Sequence, residues 1–479
     1  MAAWSAGRVG GSVCMRMQRE MGGLWASGFH PRLCGARGYA ALEAMWRRGD
    51  AAKVEQKMKK KPDVCIVGGG MITHDQILPS VYQLQRLGII GEISVCALNS
   101  APLRELAESP AITKAFPGFT FKSYPALATD PAEKFPDISK EVISKLPRHS
   151  IVIVAVPDQL HYRMIKVALE YEHHICCVKP LVLKYAQAVE IEDEAFKKGL
   201  VVGVEYHKRL DDRVLIARQQ YREGKFGEFR VGHAEMNEPY YYRHSNFMNW
   251  CTTEHSDMFT YVGCHYVDQL HVITGLLPRY VSVRGIEDAY PNGNKGYLWT
   301  DARITWENGG ILNVTDVMGY PDQGPGGNFQ GIRLYCAGKE RSGMLVHNDQ
   351  YRGLEYCYVE KGSAETDKYY HEPSPDYMKY VHLGGEGLTP VGYGYRSIAF
   401  IVDNILKAMA ASEGVDEKAG LAARQKLIQQ FDKDGVMATP KNSAYNELVM
   451  EAGRLSILNN GREVEITYGA KPGVDFRKY

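Results

Sequence analysis

Short hydrophobic runs alternate with helical patterns between residues 63 and 205. The clearest run is residues 150–156, Ser-Ile-Val-Ile-Val-Ala-Val, and its nearly continuous apolar character is typical of a strand covered on both faces. The pattern predicts strands at residues 64–67, 93–98, 119–122, 150–156, 174–178 and 200–205. It predicts helices at residues 77–87, 162–171 and 186–198. Strands that alternate with helices in this order indicate an α/β fold with a parallel, doubly wound sheet.

The first of these strands runs directly into a glycine triplet. Gly68 would permit a tight turn, and Gly70 would let a pyrophosphate approach the bare backbone. The small residue that completes the usual fingerprint is Thr73. Pro79 lies within the helical pattern that follows, so we expect a broken first turn and regular helix from about Pro79 onward. The loop predicts a dinucleotide site, and an ordinary surface loop is the alternative.

Beyond about residue 210, strands follow one another with little helix between them. Strands are predicted at residues 229–236, 280–285, 302–306, 311–318, 333–336 and 463–467. Helices are predicted at residues 256–274, 396–411 and 443–459. Such a series indicates a large, mostly antiparallel open sheet, which can form one wall of a cleft. At 479 residues the chain is long for one domain, so we predict a dinucleotide-binding domain at 58–207 and a substrate-binding and oligomerisation domain at 208–479.

Composition and charge exclude several classes of partner. Lys and Arg total 57 and Asp and Glu total 56, which gives no reason to expect nucleic acid or an anionic membrane as a partner. No apolar run approaches the roughly 20 residues that span a bilayer. The 10 cysteines show no paired CxxC spacing, and several lie in apolar runs, which suits reduced thiols in the cytoplasm.

The first 57 residues differ from the rest of the chain. They are rich in Gly, Arg and Ala, and Glu20 is the only acidic residue before Glu43. They show no sustained periodicity, so we expect a largely unstructured extension without catalytic chemistry. A mitochondrial transit peptide is one interpretation of this composition. The interpretation we prefer is that the functional protein starts near Met58.

Three predicted strands end near residues that can face a ligand crevice. The second ends on Asn99, where dinucleotide folds usually place an acid that binds the adenosine ribose. A neutral residue there admits NADP as well as NAD, unless Asn99 is an ordinary turn residue. After the fourth strand comes Pro157, and then His161, which either approaches the nicotinamide or packs as a capping residue. The fifth ends on Lys179, which either stabilises a developing alkoxide on a substrate or is a solvated charge.

A polar face follows one predicted helix of the second half. Tyr261, His265 and Asp268 are spaced i, i+4 and i+7 and therefore share that face. An apolar helix with such a face toward a cleft can hold a histidine base in orientation. A buried histidine satisfied by Asp268 is the structural alternative. The cysteines and histidines of this region are Cys251, His255, Cys264 and His265. Their spacing matches no familiar zinc pattern, so no metal site is expected.

Aromatic residues are concentrated between Pro239 and Trp250. They are Tyr240, Tyr241, Tyr242, Phe247 and Trp250. Amide and charged side chains lie between them, and this mixture suits a polyhydroxylated ligand, whose C–H faces stack while its hydroxyls form hydrogen bonds. We therefore expect Tyr241 and Trp250 to contact a carbohydrate. Packing in the core or at a subunit interface is the alternative.

Four motifs, in this order, carry a resemblance to a known family. They are Gly68-Gly-Gly70-Met71-Ile72-Thr73, Val156-Pro157-Asp-Gln-Leu-His161, His174-Ile-Cys-Cys-Val-Lys179-Pro180 and Gly263-Cys-His265-Tyr-Val-Asp268. From about Asp63 onward the chain resembles the Gfo/Idh/MocA oxidoreductases, which include glucose–fructose oxidoreductase and inositol dehydrogenase. The resemblance implies an N-terminal Rossmann domain, a C-terminal α/β domain with an open sheet, and hydride transfer between NAD or NADP and a sugar or polyol carbon.

The resemblance also implies roles for single residues. The lysine of the family's Glu-Lys-Pro motif falls on Lys179, and its acid/base histidine falls on His265. We expect the cofactor to contact Gly68, Gly70, Met71, Ile72, Asn99, Pro157, His161 and Lys179. We expect the substrate to contact Lys179, Tyr241, Trp250, Tyr261 and His265. The catalytic set would be Lys179, His265 and Tyr261, with Asp268 helping to orient the site, in a homo-oligomer formed through the open sheet.

The sequence departs from the family pattern at three positions. Val178 replaces the glutamate before the lysine, Tyr261 replaces the aspartate usually found four residues before the histidine, and Asn99 replaces the ribose-binding acid. Two other functions therefore stay open. One is glycoside cleavage assisted by transient oxidation of a sugar carbon by bound NAD. The other is a nicotinamide-binding regulator without turnover.

Overall fold

The computed structural model describes residues 61–322, 328–349, 354–359, 367–372 and 377–479, and the prediction for residues 1–57 lies outside them. Within these ranges a six-stranded sheet has the order β3-β2-β1-β4-β5-β6, and every neighbouring pair is parallel. Its strands are β1 (Val64–Val67), β2 (Ile93–Cys96), β3 (Lys122–Tyr124), β4 (Ile151–Val154), β5 (His174–Val178) and β6 (Val202–Glu205). This order is that of a Rossmann fold, in which the chain changes direction between β1 and β4 and opens a crevice there.

Helices cover both faces of this sheet. They are α1 (Leu78–Arg86), α2 (Ala101–Glu108), α3 (Pro110–Ala115), α4 (Ile138–Ile143), α5 (His161–Glu170) and α6 (Tyr185–Lys198). β1, β4 and β5 are buried along their whole lengths, as their apolar runs predict. Cys65, Cys96, Cys176 and Cys177 are buried free thiols within this sheet.

The predicted break before Pro79 takes the form of a π turn. The helix after the glycine loop widens at Thr73–Ile77 and becomes a regular α-helix at Leu78, with Pro79 in its first turn. Proline lacks an N–H, and its ring would clash with the carbonyl four residues earlier in a regular helix, so the widened turn accommodates it.

One strand of the first sheet was placed wrongly. The sequence pattern predicts a strand at 119–122, whereas β3 pairs with β2 from Lys122 to Tyr124. Phe119, which gave the predicted strand its apolar start, instead packs its ring against Tyr82 and Phe116 at centroid distances of 5.6 and 5.9 Å. An isolated aromatic residue in a short run does not distinguish a strand from an aromatic cluster.

The second sheet is mixed and mostly antiparallel, as predicted. Among the described residues it has eight strands in the order β12-β11-β7-β10-β9-β8-β17-β18, and β7 and β10 are its parallel pair. These strands are β7 (Glu228–Pro239), β8 (Pro278–Ala289), β9 (Lys295–Trp306), β10 (Ile311–Tyr320), β11 (Phe329–Ala337), β12 (Ser342–Asp349), β17 (Val464–Thr467) and β18 (Gly473–Phe476). Two hairpins stand apart from it: β13 (Leu354–Val359) with β14 (Asp367–Glu372), and β15 (Lys379–Val381) with β16 (Thr389–Val391).

The remaining helices lie between and after these strands. They are α7 (Asp212–Arg222), α8 (Cys264–Thr274), α9 (Tyr393–Ala411), α10 (Glu417–Asp434), α11 (Pro440–Ser443) and α12 (Tyr445–Ile457). The sequence pattern missed α10, because that helix buries only Gly420, Arg424 and Phe431 and shows no clear apolar stripe. α12 packs on the second sheet at β8 and β17, α8 packs against α7 and α12, and α9 packs beside β5 and β6. No helix in the described ranges is long and apolar enough to cross a membrane.

Candidate active site

The glycine loop lies at the carboxyl end of β1, in the crevice beside β4. Gly68 has a φ of +114°, and a Cβ added there would lie 2.0 Å from the carbonyl oxygen of Ala155. Only glycine fits this close approach of two strand ends. Thr73 is fully buried, and its Oγ1 donates a hydrogen bond of 2.6 Å to the Gly68 carbonyl. Thr73, the third residue of the fingerprint, therefore stabilises the loop through this hydrogen bond.

Gly70 gives the loop an open face. It is exposed, and a Cβ added there would meet nothing within 4 Å. Met71 and Ile72, half-buried, begin the helical turns directly after it. Bare backbone at the start of a helix favours an anionic group, because N–H groups point outward and the helix dipole is positive there. The residues present thus fit the pyrophosphate of a dinucleotide.

Asn99, at the end of the second strand, is half-buried and lies in a bend. Its side-chain oxygen accepts a hydrogen bond of 3.1 Å from the backbone N–H of Ala101. Ser100 is fully buried and donates to the carbonyl of Thr129 at 2.6 Å. The strand end is therefore neutral and well ordered, and it lacks the charge that would repel a 2′-phosphate.

His161 has both of its ring nitrogens engaged by the protein. The side chain is fully buried, with Nδ1 2.8 Å from the carbonyl oxygen of Pro180 and Nε2 2.8 Å from that of Val156. The ring thus joins the turns that follow β4 and β5, and Pro157 lies in the first of these turns. This geometry favours the packing role for His161 over direct contact with a nicotinamide.

Lys179 and Tyr261 meet at the carboxyl edge of the Rossmann sheet. The Lys179 ammonium donates to the backbone carbonyl of Tyr261 and lies 3.8 Å from the centroid of its phenol ring. A cation over an aromatic face is attracted by the ring quadrupole. Tyr261 belongs to a π turn, Phe259–Gly263, that leads directly into α8. The lysine is thereby fixed against the helix that carries His265.

His265 lies in the first turn of α8 and is 2% exposed. Burial, followed by the charges of His207, Lys179 and Lys208, holds the pKa of His265 well below its usual range. At neutral pH the imidazole is therefore uncharged and able to accept a proton. Within the described residues its Nδ1 is buried without a hydrogen-bond partner. Its ring lies 4.5 Å from that of His207, measured between centroids.

Asp268 does not orient His265, which corrects the prediction from helical spacing. Its carboxylate receives two hydrogen bonds from the Arg209 guanidinium, Nε at 2.7 Å and Nη2 at 2.5 Å, and a third from the Tyr445 hydroxyl at 2.7 Å. Asp268 and Arg209 are each 2% exposed. The buried cation captures the carboxylate, because an unpaired guanidinium in the interior would be costly. Two residues spaced on one face of a helix are close to each other, but the spacing does not show that their side chains form a hydrogen bond.

Four of the five predicted aromatic residues, all except Tyr240, form one continuous cluster that ends at the lysine. Tyr242 stacks on Phe247 with a centroid distance of 5.2 Å and an interplanar angle of 5°. Tyr241 packs edge-on against Tyr242 at 4.8 Å, and Trp250 against Tyr261 at 5.5 Å. The cluster therefore extends from the exposed Tyr241 to the phenol ring beneath Lys179. A face of this kind can stack against the C–H surface of a sugar ring.

The sequence interpretation missed His207, whose ring contacts His265, and Glu205, which pairs with His207. Glu205 is the last residue of β6, and His207 follows two residues later in the short helix His207–Leu210. The rule that pointed to Lys179, a strand end facing the crevice, applies equally to Glu205.

Three buried carboxyl groups were also missed. They are Asp158, Asp257 and Asp316, and burial raises the pKa of each. Each accepts a hydrogen bond: from Ser256 at 3.3 Å, from the backbone N–H of Thr260 at 2.8 Å and from Thr300 at 3.2 Å, respectively. In the described ranges no group of three or more His, Cys, Asp or Glu residues is arranged to hold a metal ion.

Comparison with known proteins agrees with this geometry. Residues 63–206 match the model of the Gfo/Idh/MocA oxidoreductases, described as an oxidoreductase family with an NAD-binding Rossmann fold. Over residues 63–206 the chain is therefore similar to the Rossmann domain of this family. It is 37% identical over 83 residues to D-glucoside 3-dehydrogenase of Escherichia coli, a match that covers 17% of this chain and 23% of that enzyme.

A longer match is to the scyllo-inositol 2-dehydrogenase (NADP(+)) IolW of Bacillus subtilis. It has 23% identity over 194 residues, which is 39% of this chain and 51% of the relative. The matched segments cover between 21% and 51% of the curated relatives.

Solved structures share the fold over a greater length. An inositol dehydrogenase homologue from Azotobacter vinelandii, in complex with NADH and myo-inositol, aligns over 85% of this chain and 98% of its own, with a TM-score of 0.56 and 17% identity. At this identity the likeness shows the fold, which includes both sheets.

Proposed function

We propose that this protein is an NAD(P)-dependent dehydrogenase that acts on a secondary alcohol of a sugar, polyol or glycoside. The observation that carries the proposal is the meeting of Lys179 and His265 beside an open glycine loop. The lysine binds the carbonyl of Tyr261, one helical turn before the histidine, and its charge helps to lower the pKa of that histidine. The dehydrogenases among the relatives act, by their names, on glucosides and inositol.

The residues divide the chemistry of alcohol oxidation between them. Neutral His265 accepts the proton of the substrate hydroxyl. The Lys179 ammonium stabilises the negative charge that develops on the oxygen. Gly68, Gly70 and the helical turn that begins at Met71 hold the dinucleotide, which when bound takes the hydride at its nicotinamide ring. The aromatic cluster from Tyr241 to Tyr261 holds the sugar face.

The test is a spectrophotometric screen of sugars, polyols and glycosides with NAD and NADP separately. With a substrate found in this way, His265→Ala is expected to lower kcat by roughly 10²–10⁴-fold and Lys179→Met by roughly 10²–10³-fold. NADH binding, followed by fluorescence, should survive in both variants. His173→Gln is the matched control, because this histidine is also buried but lies at the start of β5, at the opposite edge of the sheet.

Three outcomes would contradict the proposal. Normal turnover of His265→Ala and Lys179→Met would remove their catalytic roles. NADH binding without reaction across the panel would favour a regulator. Release of a glycone without net change in nicotinamide would favour redox-assisted cleavage.

We further propose that two copies associate through the open face of the second sheet. Val231, Tyr335 and Met344 are neighbours across β7, β11 and β12 and are 37%, 38% and 54% exposed. A row of apolar side chains facing solvent is typical of an interface. Tyr335→Asp is expected to reduce the mass measured by light scattering to that of a monomer. An unchanged mass would exclude this face.

A further inference from the structure

No carboxylate pairs with His265 among the residues that the structure describes. Tyr261 stands four residues earlier, and its backbone carbonyl is taken by Lys179. Asp268 is held by Arg209 and Tyr445. A base histidine usually needs an acceptor at its second nitrogen, because that bond fixes the tautomer and stabilises the imidazolium that forms. The buried Nδ1 of His265 has no such partner among the described residues.

Glu205 and His207 supply an imidazole–carboxylate pair at this place. Oε2 of Glu205 lies 3.2 Å from Nδ1 of His207, and the two side chains are 2% and 8% exposed. An ionised carboxylate can only accept hydrogen bonds. Nδ1 of His207 therefore carries the proton, and its Nε2 is left with a lone pair.

The protein holds Glu205 firmly. Its Oε1 accepts hydrogen bonds from Gln76 Nε2 at 2.7 Å and from Ser397 Oγ at 2.5 Å. The Tyr377 hydroxyl donates to the other end of the Gln76 amide at 2.8 Å. Gln76 lies in the π turn that follows the glycine loop, so the carboxylate is tied to the helix that begins the dinucleotide site.

His207 places its ring directly against His265. The centroids are 4.5 Å apart and the planes are tilted by 41°. Tyr393 stacks on His207 at 5.6 Å and 25°, and Tyr377 packs against it at 5.3 Å. The two rings are thus in van der Waals contact, and in the structure Nδ1 of His265 is not hydrogen-bonded to His207.

We propose that Glu205 and His207 are positioning residues that hold His265 as the catalytic base. This inference rests on the proposed dehydrogenase function. In the reacting state the two rings turn toward each other, so that His265 donates from Nδ1 to Nε2 of His207 and keeps its own Nε2 lone pair for the substrate. As that Nε2 takes the hydroxyl proton, the Nδ1 proton passes to His207. His207 becomes an imidazolium paired with the Glu205 carboxylate. The carbon that bears the hydroxyl loses its hydride to the nicotinamide, and its C–O bond becomes a carbonyl.

Other charged and titratable groups face the two rings. Lys179 and Lys208 bring positive charge, which opposes an imidazolium. Tyr206, Tyr377 and Tyr393 are phenols and contribute no charge near neutral pH. Glu205 is therefore the negative charge that balances the two lysines at this pair. Neutralising it should make protonation of the pair harder.

The first test observes the tautomers directly, by NMR of the full chain labelled with ¹⁵N at histidine. In the wild type we expect His265 and His207 each to carry the proton on Nδ1. His207→Gln should abolish the Nδ1–H tautomer of His265. The control His173→Gln, a buried histidine whose Nε2 lies 3.0 Å from the carbonyl oxygen of Ile143, should leave it intact. An Nε2–H tautomer of His265 in the wild type, or one unaffected by His207→Gln, overturns the proposal.

The second test is kinetic, with a substrate identified in the screen. His207→Gln is expected to lower kcat by roughly tenfold, less than the ~10²-fold or more lost with a general base itself, and to leave the KM for the nicotinamide unchanged. Glu205→Gln should move the acid limb of the pH profile of kcat to lower pH, and Glu205→Asp should restore part of the rate. An unmoved acid limb in a folded Glu205→Gln variant overturns the proposal.

The two proposals can fail separately. If the wild type binds no NADH and oxidises nothing, the dehydrogenase function fails, whereas the NMR result still shows whether the three residues are coupled. If turnover is found but the tautomers are independent of His207, only the positioning role fails.

Discussion

Buried histidines lie at both edges of the Rossmann sheet, but their neighbouring side chains differ. At the carboxyl edge, His265 faces Lys179 and His207 beside an open glycine loop. At the amino edge, His173 and His174 are equally buried at the start of β5, and each also has one ring nitrogen without a partner in the described part of the chain. A buried, unpartnered nitrogen is therefore not by itself a sign of catalysis.

The surroundings of the histidines make the difference. At the amino edge the exposed ion pairs of Arg148 with Glu172 and Glu417 cover the surface. At the carboxyl edge Gly70 leaves backbone open, and a lysine, a second imidazole and a carboxylate converge. Changes at the carboxyl edge should therefore alter ligand binding or turnover, whereas changes at the amino edge should alter stability.

The largest expected effect separates two adjacent glycines of the loop. Gly68→Ala forces a Cβ to 2.0 Å from a backbone oxygen at a φ of +114°, so we expect a loss of at least roughly 4–5 kcal/mol in the free energy of unfolding. Gly70→Ala meets nothing within 4 Å. The Gly70→Ala variant should have the Tm of the wild type but bind NADH roughly tenfold more weakly, a loss of about 1.4 kcal/mol in binding free energy. Thermal unfolding and NADH fluorescence titration measure both quantities.

Each variant serves as the control for the other: Gly70→Ala should keep the stability that Gly68→Ala loses, although both add a methyl group to the same loop. Full NADH affinity in a folded Gly70→Ala variant would show that no pyrophosphate passes over this residue. A stable Gly68→Ala variant would contradict the close approach of the two strand ends.

The second prediction concerns Asp268, which belongs to the scaffold although it shares a helix with His265. Asp268→Ala leaves the Arg209 guanidinium buried without its partner, which should cost about 3–5 kcal/mol in the free energy of unfolding. Replacing both by apolar residues, with Arg209→Met and Asp268→Leu, should recover most of this loss. Urea unfolding of the wild type, Asp268→Ala and the double variant measures the loss and its recovery. If Asp268→Ala instead keeps its stability and loses turnover, the original orienting role would be right.

The fold was largely predictable from local pattern, because strands covered on both faces are nearly continuous apolar runs. β1 and β5 were predicted at their observed bounds, Val64–Val67 and His174–Val178. The failures have local causes: Phe119 joined an aromatic cluster instead of a strand, and α10 lacks an apolar stripe.

The candidate site was predictable only in part, because pairing between distant residues leaves no local pattern. Lys179 and His265 were found from strand-end position and family motifs. The capture of Asp268 by Arg209, 59 residues away, was invisible in helical spacing. The contact of His207, and through it Glu205, with His265 depends on how α8 packs against the short helix His207–Leu210, which no single-sequence periodicity specifies.

The third prediction tests the neutral strand end at Asn99. Asn99→Asp can still accept from the backbone N–H of Ala101, so the start of α2 should be preserved. The new charge would repel a 2′-phosphate, and the ratio of NADPH to NADH affinity is expected to fall by about tenfold. Asn99→Ser is the uncharged control. A ratio that does not respond to the charge would show that Asn99 does not face the ribose.

The smallest expected effect lies at the amino edge. Burial, with the charges of Arg424 and Arg148, lowers the pKa of His149 from 6.5 to about 4. The folded state therefore keeps this ring neutral while the unfolded chain binds a proton. The contribution of His149 to the free energy of unfolding is therefore fully present above about pH 6.5 and is lost as the pH falls toward 4. Because the ring is partly exposed, the loss should be on the order of 1 kcal/mol.

His149→Asn removes this titration without straining the backbone, because asparagine tolerates the φ of +64° found there. Urea unfolding at a series of pH values should show a shallower decline for this variant below pH 6.5, with turnover unchanged. The exposed His255→Asn serves as the control and should follow the wild type. A variant that loses turnover but keeps the wild-type pH dependence would reverse the distinction between the two edges, because the amino edge would then carry function and not stability.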